Sequence, residues 1–187
     1  DGLLYVCDRP NNRVQVFHRD GSFLFFVWSY GYHDGAFDRP VDVAVDREGD
    51  FYVSDQGNSR IQKFSPEGRF VLTWGGRGRR GGLLEEPGGL VEREGRLIVA
   101  DPYTHRLVTF DRSGALLGAW SASAEDGNQG LGVPSDVASL PSGDEFVVCS
   151  AVEDRCEIVS SGEDTAPDAE ANSRRIARDG YSMGGSG

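Results

Sequence analysis

Four segments of this chain share one pattern, and that repeat constrains the fold more than any other feature. The first runs from Tyr5 to Phe17 as YVCDRPNNRVQVF, and the second from Tyr52 to Phe64 as YVSDQGNSRIQKF. The third, Ile98 to Phe110, reads IVADPYTHRLVTF, and the fourth, Val147 to Val159, is a decayed copy. Arg13, Arg60, Arg106 and Arg155 each lie five residues after Asp8, Asp55, Asp101 and Ser150. Trp28, Trp74 and Trp120 are spaced by 46 and 46, and Pro40, Pro87 and Pro134 by 47 and 47. Three ladders in one register are not a product of chance, so the period is 46–47 residues.

Each period has the same inner grammar. Pro40 leads into a β-type run over Val41–Val45, a turn at 46–49, a second strand to Ser54 and a polar loop at 55–59. A third strand covers Arg60–Phe64, a Pro- and Gly-containing turn covers 65–68, and a fourth strand runs to Trp74. Twenty-six glycines in 187 residues, about twice average usage, suit this density of tight turns. Four antiparallel strands in a period of about 40–50 residues is the signature of a propeller blade. The predicted fold class is therefore all-β: a β-propeller of four-stranded antiparallel blades. A partial blade spans 1–28, full blades span 35–75 and 82–121, and a second partial blade spans 132–160. One blade cannot bury both faces of its sheet, so blades must stack. Residues 163–187 break the pattern and read as an acidic, then Gly/Ser-rich, flexible tail.

The run from Phe37 to Asp46 (FDRPVDVAVD), with GDFYVSD at 49–55 and NSRIQKF at 58–64, resembles the NHL repeat. Gly68 and Trp74-Gly75 fit the same pattern. The resemblance covers roughly residues 2–160; the fourth repeat departs from it, with Ser150 in place of Asp and Val159 in place of the aromatic. It implies a propeller that is most often six-bladed in this family. Six such periods need about 280 residues, so this chain is expected to be an incomplete ring. The missing blades would come from the rest of a parent chain or from another copy. The first residues carry neither an initiator Met nor a basic and apolar leader, which fits a piece of something longer.

Thirty acidic against nineteen basic residues give a net charge of −11. That field repels phosphate backbones and makes nucleic acid a disfavoured partner. No apolar run approaches the length of a membrane-spanning helix, so no membrane partner is expected. Three cysteines, Cys7, Cys149 and Cys156, without a C-x-x-C pair or an N-x-S/T acceptor, lean toward a cytoplasmic rather than a secreted protein. All three occupy small or apolar strand slots and read first as core filling. Cys149 and Cys156 are nevertheless cross-strand partners flanking one hairpin, and could bond in an oxidising compartment.

The Asp and Arg of each polar loop, Asp8/Arg13, Asp55/Arg60 and Asp101/Arg106, are expected to be structural ties, because they recur in every blade. The loop at 76–81 formally matches G-x-G-x-x-G, but no helix follows it, so a dinucleotide site is not expected. Its Arg77, Arg79 and Arg80 form the one dense basic cluster, suited to an acidic peptide or a phosphate. Tyr30, Tyr32 and His33 lie on the matching loop one blade earlier and suit a contact surface. Asp42 and Asp136 stand two residues after Pro40 and Pro134, at the mouth of the inner strand, where a hard cation could sit.

The predicted function is a non-catalytic scaffold that binds a protein or peptide on its loop face through Tyr30, Tyr32, His33, Arg77, Arg79 and Arg80. No cofactor is expected. The resemblance suggests one version, the substrate-recognition part of a ubiquitin ligase. The alternative is a metal-dependent propeller enzyme of lyase or lactonase type, holding Ca or Zn at Asp42 and Asp136 in the channel. RNA binding comes third.

Overall fold

The computed structural model describes residues 2–78, 82–121, 132–141, 145–152 and 154–160. Their strands form four antiparallel sheets in chain order. The first sheet contains β1 (Leu3–Asp8), β2 (Arg13–His18) and β3 (Phe23–Trp28). The second contains β4 (Pro40–Val45), β5 (Phe51–Asp55), β6 (Arg60–Phe64) and β7 (Phe70–Gly75). The third contains β8 (Leu90–Arg93), β9 (Arg96–Asp101), β10 (Arg106–Asp111) and β11 (Leu116–Ser121). The fourth contains β12 (Pro134–Ser139), β13 (Glu145–Ser150) and β14 (Arg155–Ser160). Each sheet is a meander in which consecutive strands pair, and β4, β8 and β12 lie where neighbouring sheets meet.

Strand alternation explains why the sheets stack. In the second sheet one face carries Phe51, Val53 and Phe64, and the other carries Tyr52, Ile61 and Trp74. The first face packs on Tyr5, Val14 and Val27 of the first sheet. The other packs on Leu97, Val99, Val108 and Phe110 of the third. Ile98, Ala100 and Leu107 in turn meet Val137, Phe146 and Val148 of the fourth. The core is thus a series of layers between blades, because every strand side chain falls on one face or the other. An aromatic near the end of β2, β6 and β10 sits beside a β-bulge, at Phe17, Phe64 and Phe110.

Three features differ from the sequence expectation. The polar loops β1–β2, β5–β6 and β9–β10 are 3-10 turns, Arg9–Asn11, Gln56–Asn58 and Pro102–Thr104, each followed by a left-handed residue, Asn12, Ser59 or His105. The tryptophan ladder slips by one: Trp74 and Trp120 pair with Ile61 and Leu107, but Trp28 pairs with Arg13. Val27 takes the Trp slot of the first blade and packs into the blade interface in its place. Finally, Cys149 and Cys156, directly opposite on β13 and β14, are joined by a disulfide. They occupy the slots that Ser54 and Ile61 fill in the second blade, so in the fourth blade a covalent tie replaces core filling. Cys7 remains a thiol, pushed up to about 12 by its burial and then by the neighbouring Asp42 carboxylate.

Candidate functional site

The loops that connect one blade to the next lie over the 3-10 turns, and the recurring Asp and Arg build them. Asp55 ends β5 and is fully buried. Its Oδ1 accepts from the Asp38 amide at 2.7 Å, while Oδ2 accepts from Asn58, Arg60 and Gln62 at 2.8, 2.8 and 3.1 Å. Burial pushes this carboxyl up, against the pull of the Asn58, Asp38 and Arg60 donors. Arg60 spends its other nitrogens on the incoming loop. Nη1 donates to the Tyr32 carbonyl at 2.9 Å, and Nη2 donates to the carbonyls of His33 and Ala36 at 2.9 and 2.7 Å. Asn58 donates to the Gly31 carbonyl at 2.9 Å, and Gln62 to that of Ala36 at 2.7 Å.

The third blade repeats the device. Asp101 accepts from the amides of Glu85 and Glu86 at 3.2 and 3.1 Å. Arg106 lies 3.7 Å from Asp101 and donates to the carbonyls of Gly78 and Leu83. Ser59 and Gly76 fix the near side of this loop: Gly76 donates to the Ser59 carbonyl, and the Ser59 hydroxyl donates to that of Glu85. In the first blade Asp8 accepts from Asn11, Arg13 and Gln15. Sequence spacing pointed to the Asp–Arg ties. It did not show that Arg60 and Arg106 shape the loop arriving from the blade before, since backbone carbonyls carry no sequence signal.

The pinned loop at 29–37 lifts its side chains outward. Tyr30 is 68% and Tyr32 88% exposed, and Tyr103, on the turn of the next blade, is 55% exposed. His33 bridges Ser29 and the Asp34 carbonyl at 3.3 and 3.0 Å, so it braces the loop from within. Arg77 is exposed on the following loop; Arg79, Arg80 and most of the 121–132 loop lie outside the described residues, as does the 163–187 tail.

Asp42 is placed as a clasp between blades. Its Oδ1 accepts from the Val43 amide and its Oδ2 from the Leu90 amide of the next inner strand, both at 2.8 Å. Burial raises its pKa, partly offset by the two amides, with the Asp136 carboxylate adding to the rise. Asp136 accepts from Val137 at 2.8 Å. Between them stands Gly89, where a Cβ would fall 2.0 Å from the Asp136 carboxylate, so only glycine fits. Among the described residues no three His, Cys, Asp or Glu side chains gather as a metal site.

Sheets of this order, stacked face to face around their first strands, define a β-propeller, of which the described residues form four blades. The NHL repeat family matches residues 1–17 and 37–64, the stretches that hold β1–β2 and Phe37 to β6. The described residues are therefore blades of a β-propeller, and the stretches similar to NHL repeats lie in the first two of them. Solved structures share the fold, two of them as follows. A chain of the nidogen/laminin complex is 17% identical with a TM-score of 0.65, the match covering 86% of this chain and 57% of that one. Hydrazine synthase of Kuenenia stuttgartiensis is 13% identical with a TM-score of 0.64, covering 85% and 43%. This chain thus spans about half the length of either. No curated protein matches it in sequence.

Proposed function

We propose that the loop face is a non-catalytic platform for a protein or peptide partner, with Tyr30 and Tyr32 as its central contacts. The observation that carries this reading is the pairing of outward aromatic rings with a backbone fixed by Arg60, Asn58 and Gln62. Tyrosine offers a large amphipathic surface with few rotors, and a fixed loop spares the ordering cost of binding. The structurally similar chain of the nidogen/laminin complex supports the same direction, since that structure is of a protein–protein complex. The recognition module of a ubiquitin ligase is one specific version of this role. Asp42, on which a channel metal site would depend, spends both oxygens on amides, so the reading stays with the loops.

A random-peptide library panned against the chain tests the platform. Selected peptides should lose roughly tenfold or more in affinity for a Tyr30→Ser/Tyr32→Ser double variant, as truncation of central aromatic contacts does. Both residues are exposed, so the melting temperature should hold. Peptides that bind the variant as well as the parent would place the contact surface elsewhere.

A further inference from the structure

Arg39, directly before Pro40, has a φ of +54°. A left-handed backbone is unfavourable for any residue with a Cβ, and proline pushes the residue before it toward extended conformations. The repeat itself does not require this. Glu86 and Val133 hold the same position before Pro87 and Pro134, and neither is left-handed. The other left-handed residues with side chains have ordinary explanations: Asn12, Ser59, His105 and Asp154 each stand directly before the recurring Arg of their blade, and Glu94 lies in a tight turn.

Three hydrogen bonds hold Arg39 in place. The Asp38 amide donates to Asp55 and the Gly57 amide donates to the Asp38 carbonyl, while the Arg39 amide donates to Asn12 Oδ1 of the first blade at 2.7 Å. In the third blade both corresponding amides, of Glu85 and Glu86, go to Asp101 of their own blade. The second blade instead sends one of the two across the seam. Strain that the surroundings over-determine collects at functional positions. Arg9 crosses the same seam, with Nη2 donating to Gln56 Oε1 at 2.7 Å. The bonds knit residues 9–12, 38–39 and 56–57 into one patch that adjoins the tyrosine loop.

The arginines of this face are of two kinds. Arg60 is 11% exposed in its side chain and is spent on Asp55 and loop carbonyls. Arg39 is 53% exposed, and the carboxylate it pairs with, Asp38, is 3.7 Å away, beyond hydrogen-bond reach. Arg9 and Arg39 are both exposed at this seam, and an exposed guanidinium offers a carboxylate two parallel N–H donors. The overall charge of −11 does not prevent this. Charges beyond about 8 Å are screened at physiological salt, so the local arginines govern the contact.

We propose that Arg9 and Arg39 form a carboxylate anchor that receives an acidic side chain, or the terminal carboxylate, of a peptide on this face. The inference rests on the reading of the loops as a peptide platform. The test measures fluorescence anisotropy of the 187-residue chain with three labelled peptides of equal length. One is Glu-rich with an amidated terminus, one Gln-rich with a free terminus, and one Gln-rich and amidated. Binding of the first identifies side-chain carboxylates, and binding of the second identifies the terminus. If neither outcompetes the third, the proposal is overturned. Arg9→Gln and Arg39→Gln should each weaken the bound peptide by about tenfold, the loss expected of a charge-assisted hydrogen bond. Affinity unchanged in both also overturns it. Arg39→Gly should raise the melting temperature while weakening binding; a temperature that does not rise contradicts the strain argument. Loss in the Tyr30→Ser/Tyr32→Ser variant alone defeats the anchor and leaves the platform. Loss in the arginine variants alone does the reverse.

Discussion

Asp55 shows how one buried residue organises the surface above it. It has no exposure, yet four donors converge on it, and three of them are side chains that also hold the loop at 29–37. Removing one partner of a buried charged network strands the others, which typically costs about 3–5 kcal/mol. Asp55→Ala should therefore lower unfolding stability by roughly 3 kcal/mol, measured by denaturant titration. Asp8→Ala should cost less, because Asp8 is partly exposed and receives no amide from a connecting loop among the described residues. Equal losses at the two positions would mean that the connecting loop adds nothing. This much was half legible in the sequence. A spacing of five predicts a side-chain tie across the polar loop. The wider role was not legible, because Arg60 acts on carbonyls 24 to 28 residues away, at positions 36 to 32.

At the scale of the element, the blades are separate sheets, and the contacts between them decide stability. Trp74 of the second blade lies edge-on to Phe110 and Tyr52. The turn between β10 and β11 closes over it through Gly114, where φ is +82° and a Cβ would meet the indole at 2.7 Å. Gly95 has a similar φ of +84° but open space around it. Gly95→Ala should therefore cost about 1 kcal/mol for its backbone, and Gly114→Ala about 1–3 kcal/mol more for overpacking. Thermal melts of the two variants compare them directly. Strand number, order and alternation were readable from the period, since each strand places its apolar residues on both faces. The slip of Trp28 was readable in principle. Arg60 to Trp74 and Arg106 to Trp120 are both 14 residues apart, while Arg13 to Trp28 is 15. The even tryptophan spacing concealed it, and a one-residue slip in register exchanges the two faces of a strand.

The molecule as a whole is a set of layers whose interior is legible and whose working surface is only partly so. The repeat pointed to the propeller, because period and strand grammar follow from how sheets stack. The exposed tyrosines could be assigned to a loop but not to a pinned one. The strained Arg39 could not be seen at all, since φ leaves no mark in a residue's identity. The Cys149–Cys156 bond was open from the sequence and is formed in the structure. Disulfides persist in oxidising compartments, so finding this bond in cells would argue against the expected cytoplasmic setting.

The central claim is that the Asp and Arg of the second and third blades shape the loop arriving from the blade before, and so preform the contact face. Hydrogen exchange of an Arg60→Gln variant tests it most directly. The amides of Gly31, Ala36 and Phe37 are bonded within the loop, to the carbonyls of Phe37, His33 and Ser29. These amides should exchange markedly faster in the variant, while those of β5 and β6 keep their protection. Unchanged protection at Gly31, Ala36 and Phe37, or a uniform loss across the blade, would contradict the account.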